Sequence, residues 1–247
     1  MTDVHTQDTA PLVQRVRHEL KLRELEVSNI DTLSPGFLGI TFTGEALADF
    51  TSLSFDDHVK LMFDEGGEQV RRDYTPRRFS REARELVIEF AVHGHGKASD
   101  WARNAKTGDR LLVGGPRGSM IVPLELGWHL LVGDDTALPA ISRRLEELPD
   151  GSRAFVFALA GEADRRDFAS RAKVELHWAA TSEELLAALE KLTLPGAQAG
   201  FAWGGGEASL MARVRRVLAD KGVPKQRMRV SSYWKRGVAD HHHEELS

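Results

Sequence analysis

Apolar residues recur along this chain with two different rhythms, and the change falls near Pro123. Before it, short runs rich in Val, Ile, Leu, Phe and Thr follow one another closely: Leu22–Ile30, Gly36–Thr43, Asp57–Phe63, Gln69–Thr75, Glu85–Val92, Arg110–Val113 and Ser119–Val122. Turn signals such as Ser34-Pro35-Gly36 and Gly66-Gly67 bound them, so each reads as a strand. Many short strands with little helix between them predict an antiparallel barrel. Ahead of them, residues 1–19 read as a polar leader with a short helical stretch around Leu12 to Leu20.

After Pro123 the apolar runs become compact and alternate with helical periodicity. Strands are expected at Trp128–Val132, Ala154–Ala160, Val174–Trp178, Phe201–Trp203 and Met228–Tyr233. From Ser182 to Leu192, Leu185, Leu186, Leu189 and Leu192 share one helical face, with Thr181 and Glu184 at capping-box spacing. Glu207 to Asp220 repeats the pattern with Leu210, Met211, Val214, Val217 and Leu218. Strands alternating with helices predict a parallel sheet covered on both faces. The expected plan is therefore a leader over 1–19, a barrel over 20–123 and an α/β domain over 124–247.

Composition narrows the chemistry. The 247 residues contain no cysteine, which excludes disulfides, thiolate metal sites and a cysteine nucleophile and fits a reducing compartment. The start shows no secretory apolar core, and no apolar run approaches the roughly 18 residues of a membrane span. A cytoplasmic protein is expected, and nothing demands more than a monomer. The net charge of −4 argues against nucleic acid as the main partner while leaving local basic clusters free to bind small anions.

Five segments carry candidate chemistry. In Arg71-Arg72-Asp73-Tyr74-Thr75-Pro76-Arg77-Arg78, strand alternation places Arg72 and Tyr74 on one face and turns Thr75 away. An arginine fork suits a pyrophosphate and a phenol ring can lie against a planar heterocycle; a solvated basic edge strand is the competing explanation. His93-Gly94-His95-Gly96-Lys97-Ala98-Ser99-Asp100-Trp101-Ala102 follows a strand and opens a helix that Ser99 or Asp100 can cap. Such small-residue helix starts bind phosphates, although the same segment also reads as a Gly-rich turn.

Gly133-Asp134-Asp135-Thr136-Ala137-Leu138-Pro139-Ala140 ends the first strand of the second half, where open parallel sheets bind ligands; Asp135 or Thr136 is the expected helix cap. It is not a GxGxxG fingerprint. Trp203-Gly204-Gly205-Gly206-Glu207 allows close backbone approach to a dinucleotide, or serves as a plain connector. Ser232-Tyr233-Trp234-Lys235-Arg236-Gly237 ends the last strand with aromatics that close over a cofactor or finish the core.

Taken in order, Arg72-x-Tyr74-Thr75-x-Arg77, His93-Gly94-x-Gly96-x-Ala98-Ser99-x-Trp101-Ala102, Gly115-Pro116-Arg117-Gly118, Gly133 to Ile141 and Tyr233-Trp234-Lys235-Arg236-Gly237 resemble the siderophore-interacting protein family over residues 20–240. Two departures stand out: Lys97 occupies a position where that family often has proline, and Tyr233 follows Ser232 where a glycine is common.

The resemblance implies a six-stranded FAD-binding barrel followed by an NAD(P)-binding sheet. It places Arg72, Tyr74 and Thr75 at the flavin and ribityl-phosphate side, and His93 and Gly96 to Ser99 (through Lys97 and Ala98) at the diphosphate. Asp135, Thr136, Ala137 and Trp234 complete the expected cofactor contacts. The implied reaction moves electrons from NADPH or NADH through FAD to a ferric siderophore, with Lys60, Lys235, Arg236 and, more weakly, Arg117 recruiting the anionic chelate. No side chain acts as nucleophile, and no protein-bound metal is needed. Arg143, Arg144, Arg165 and Arg166 are the candidates for a 2′-phosphate, with plain solvation on exposed helix faces the competing reading. Alternatives are a reductase component serving a protein partner, an acceptor of electrons from ferredoxin, and a siderophore-binding module without turnover.

Overall fold

The computed structural model describes residues 12–92, 96–238 and 244–245. In chain order the first half comprises β1 (Gln14–Arg17), β2 (Leu22–Ser34), β3 (Phe37–Thr43), β4 (Val59–Glu65), β5 (Glu68–Tyr74), β6 (Arg78–Ser80), β7 (Glu85–Ala91), α1 (Lys97–Asn104), β8 (Arg110–Gly114) and β9 (Gly118–Ile121). Seven of these strands form one antiparallel sheet in the order β5-β4-β8-β2-β3-β7-β6. Period-two alternation drives it: Leu25 and Val27 of β2 are buried while Glu24 is exposed. The two edge strands, β5 and β6, are consecutive in the chain, separated only by Thr75, Pro76 and Arg77.

The expected helical stretch around Leu12 to Leu20 does not form. Gln14–Arg17 is instead a strand, paired antiparallel with β9 from Gln14↔Ile121 to Arg17↔Gly118. Pairing with an available edge satisfies backbone groups that a short, isolated helix would leave marginal.

The second half comprises β10 (Trp128–Asp134), α2 (Leu138–Glu147), β11 (Arg153–Leu159), β12 (Lys173–Ala179), α3 (Ser182–Lys191), β13 (Gly200–Glu207), α4 (Ala208–Asp220), β14 (Met228–Trp234) and β15 (Glu244–Glu245). Its sheet runs β12-β11-β10-β13-β14-β15, parallel throughout except for β15. Every residue of β10 is buried, which is why its sequence reads as a compact, mostly apolar run rather than an alternation. Thr181 caps α3 by accepting from Glu184 N, as the capping-box spacing predicts.

One face of this sheet packs under α3 and α4 around Trp128, Leu130, Leu186 and Met211. The other face, with Leu131, Val156 and Trp203, shares a core with α2 and with Phe37, Phe55, Met120 and Val122 of the first half. Chain order reverses between β10 and β13, the kind of switch point beside whose carboxyl strand ends such sheets bind ligands.

Candidate functional site

Strand β7 brings the first two motifs together. The Tyr74 ring lies 4.6 Å from that of Phe90, centroid to centroid, and Ser99 Oγ donates to the carbonyl of Ala91, the next residue along. Burial pushes the Tyr74 phenol well above its ordinary range, so it remains a neutral O–H. Trp101 anchors α1 from beneath, in ring contact with Phe42, Phe63 and Phe90. The strand carrying Arg72 ends at Tyr74, and half-buried Thr75 lies just beyond it. Arg72 sits on an edge strand, its Nη1 donating to the carbonyl of Arg71 at 2.8 Å.

The helix start differs from expectation. Gly96 is the N-cap of α1, and neither Ser99 nor Asp100 caps it; among the described residues no side chain does. Ser99 turns back to β7 instead. Among the described residues, a Cβ on Gly96 would meet nothing closer than Ser99 Oγ at 4.0 Å. Such a helix start beside a half-buried lysine (Lys97) is chemistry that fits a diphosphate. His93 lies outside the described residues.

The second half supplies the opposite wall. The Asp135–Ala137 turn lies against β7, and Ala91 packs on the core cluster that contains Ala137. Asp135 Oδ1 accepts from Thr136 N at 2.8 Å, but the N-cap of this turn is Asp134, one residue earlier than predicted: its Oδ1 accepts from the same N–H at 3.0 Å and from Thr136 Oγ1 at 2.5 Å. Its Oδ2 accepts from Glu207 N at 2.7 Å and Trp234 Nε1 at 2.9 Å. One buried carboxylate thus ties the ends of β10, β13 and β14 together. Burial, and next the neighbouring Asp135 charge, raise Asp134 above the usual carboxylate range. Close packing around it fixes two glycines: a Cβ on Gly206 would fall 2.6 Å from Asp134 Oδ2, and one on Gly133 would fall 2.4 Å from Ala137 Cβ.

The glycine run is therefore neither connector nor open cradle. β13 continues through it to Glu207, and Gly205 makes room for Tyr233, whose ring a Cβ would meet at 2.9 Å. Tyr233 and Trp203 form an edge-on pair, and Trp203 Nε1 donates to Asp56 Oδ1 at 2.7 Å. Arg229 pairs with the same carboxylate at 2.6 Å. Asp56, which sequence reasoning missed, so joins the two halves; its only signal was an unremarkable Asp56-Asp57 pair before a strand.

The basic candidates divide. Lys235 and Arg236 are exposed at the end of β14, and Arg117 is exposed in the β8–β9 connection. Lys60 is not a free cation, since its Nζ bonds both oxygens of Asp73 at 2.8 and 3.1 Å. Three of the four arginines expected near a 2′-phosphate are structural. Arg143 and Arg144 are buried, bonding Ser52 and Pro76 and the carbonyls of Val122 and Pro123 respectively, while Arg166 pairs with Glu89 at 2.5 Å. The helix carrying Arg143 and Arg144 was misread as exposed because its polar face meets the other half rather than water. Arg165 alone of the four is exposed.

A model described as the siderophore-interacting FAD-binding domain matches residues 26–71 and 64–120, and one described as siderophore-interacting protein matches residues 126–237. The chain is 36% identical to an NADPH-dependent ferric-chelate reductase of Escherichia coli, over 90% of this chain and 96% of that one. It is 30% identical to the ferric vibriobactin reductase ViuB of Vibrio cholerae, over 86% and 89% of the two chains. The crystal structure of a siderophore utilization protein from T. fusca superposes with a TM-score of 0.84 at 35% identity, covering 93% of this chain and 99% of that one. The chain belongs to the siderophore-interacting protein family.

Proposed function

We propose that this protein is an FAD-dependent reductase that takes electrons from NADPH or NADH and delivers them to iron(III) held by a siderophore. The observation that carries the reading is the convergence on the end of β7: Tyr74, the start of α1 and the Asp135–Ala137 turn all meet there. Relatives that span nearly the same length and reduce ferric chelates support it.

In this reading Arg72, Tyr74 and Thr75 hold the flavin side of FAD. The Gly96 to Ser99 turn holds its diphosphate, with Lys97 contributing the charge that offsets the missing proline. Bound FAD supplies the conversion between a two-electron nicotinamide donor and one-electron iron chemistry. Tyr74, held neutral by burial, presents an apolar face with a hydroxyl tip and keeps water off one side. Trp234, fixed by Asp134, limits access from the other half. Asp135, Thr136 and Ala137 receive the nicotinamide dinucleotide at the switch point of the parallel sheet. Lys235 and Arg236 draw in an anionic chelate, with Arg117 a weaker contributor.

The antiparallel sheet is read as a barrel, because its two edge strands are joined by so short a link and Tyr74 of one edge touches Phe90 near the other. The division at 123/124 is supported by the family models, which meet between residues 120 and 126. The reading includes a monomer working in the cytoplasm, in keeping with the absence of cysteine. A ferredoxin donor and a binding module without turnover are the outcomes that a donor test separates. Among the described residues no helix is long and apolar enough to cross a membrane. The experiment is an anaerobic donor and acceptor titration of the flavin-loaded protein. Bleaching by NADPH or NADH and recolouring by ferric siderophore are expected.

A further inference from the structure

Thr75, Pro76 and Arg77 lie between β5 and β6, outside the ladders of both strands. Proline has no N–H to donate to a ladder, so this link is held by strand hydrogen bonding less fully than its neighbours. The structure supplies a further hold from helix α2 of the other half. The buried Arg143 guanidinium donates to the Pro76 carbonyl at 3.0 Å, to Ser52 Oγ at 2.7 Å and to the Ser52 carbonyl at 3.0 Å, while its Nε meets Glu147 at 2.9 Å. One turn later, Glu146 receives both Nη groups of Arg77, at 2.7 and 2.5 Å. Arg77 is further fixed by Glu89 at 3.0 Å and by its own N–H on the Val87 carbonyl at 2.9 Å.

We propose that Arg143 and Glu146 are positioning residues for the Tyr74–Thr75 segment, so that a helix of the nucleotide half sets the surroundings of the flavin. This rests on the reading of that segment as the flavin site. Three features separate it from ordinary interface cement. The bonds converge on a backbone link that strand hydrogen bonding holds only in part. Both arginines use planar forks, which fix direction as well as distance. And α2 begins directly after the Asp135–Ala137 turn, so the same rigid element runs from the proposed dinucleotide site to the flavin segment. Neither residue touches a reacting atom; Arg143 acts through Pro76 and Glu146 through Arg77.

The test compares Arg143→Lys, which keeps the charge and loses the fork, with Glu146→Gln, which replaces one acceptor of the pair by a donor. Glu146 is partly solvent-exposed and Arg77 keeps Glu89, so Glu146→Gln decides the matter if Arg143→Lys fails to fold. Glu183→Gln, which breaks an exposed pair with Arg213, is the control. With FAD bound one to one, both variants should alter the visible circular dichroism of the flavin and slow its bleaching by NADPH roughly tenfold or more. The control should match the parent. Flavin-loaded Glu146→Gln with parental spectrum and bleaching rate, whatever its melting temperature, overturns the proposal. Failure of the parent protein to take up FAD would instead overturn the functional reading beneath it.

Discussion

Lys60 grips Asp73 through both carboxylate oxygens, across the β4–β5 pair in which the two residues lie directly opposite. A cation so neutralised attracts a distant anion weakly, whereas Lys235 and Arg236 project from a strand end into solvent. Lys235→Glu should therefore slow reduction of an anionic ferric chelate at low salt, with the defect shrinking as salt rises. Lys60→Gln should have the smaller effect. Stopped-flow reoxidation rates at two ionic strengths check this, and a larger loss from Lys60→Gln would reverse the assignment.

Arg72→Ala should leave the fold intact while weakening FAD binding by roughly 10- to 100-fold, the worth of about 1.5–3 kcal/mol of charge-assisted hydrogen bonding. Flavin fluorescence titration of the apoprotein measures it. Parental affinity would remove Arg72 from the site.

Packing at the switch point forbids a side chain on Gly133, where a Cβ would stand 2.4 Å from Ala137 Cβ and 2.7 Å from the Gly205 carbonyl. Gly133→Ala should destabilise the protein by about 1–3 kcal/mol, read as a lower denaturation midpoint. A midpoint unchanged from the parent would mean that the strand ends yield.

His129 makes stability depend on acid. Burial, then the charge of Arg144, push it down to about 4. Its Nε2 bonds the Leu124 carbonyl at 3.1 Å and its Nδ1 faces Arg144 at 3.4 Å, a pairing that suits the neutral ring. Because the unfolded chain binds this proton more readily, His129 contributes stability that is full above about pH 6.5 and is lost as pH falls toward 4. The loss reaches about 3 kcal/mol. His129→Gln should flatten that part of the stability–pH curve, measured by urea unfolding from pH 4 to 7.

Much of the fold was legible because local pattern and tertiary role coincide. The alternation of Leu25 and Val27 with Glu24 and the compact, mostly apolar run of β10 each report burial that the sheet enforces. The leader was misread because Gln14–Arg17 is shaped by its partner β9, and a partner remote in sequence leaves no local signal. The same reason hid the site's frame. Asp134 shares Thr136 N with its neighbour Asp135, and what sets it apart is its reach to Glu207 and Trp234, partners remote in sequence. Arg143 looked solvated because the polar face of α2 meets Ser52 and Pro76, residues distant along the chain. Motif order pointed to the segments around β7 and β10; the contacts that join those segments are long-range and needed the structure.

Anaerobic spectroscopy of the FAD-loaded protein tests the central claim most directly. The account predicts a yellow protein whose flavin colour fades with NADPH or NADH and returns on adding a ferric siderophore, while a ferrous trap captures the iron. A colourless protein that rejects added FAD, or a reduced flavin that ferric siderophore leaves bleached, would contradict it.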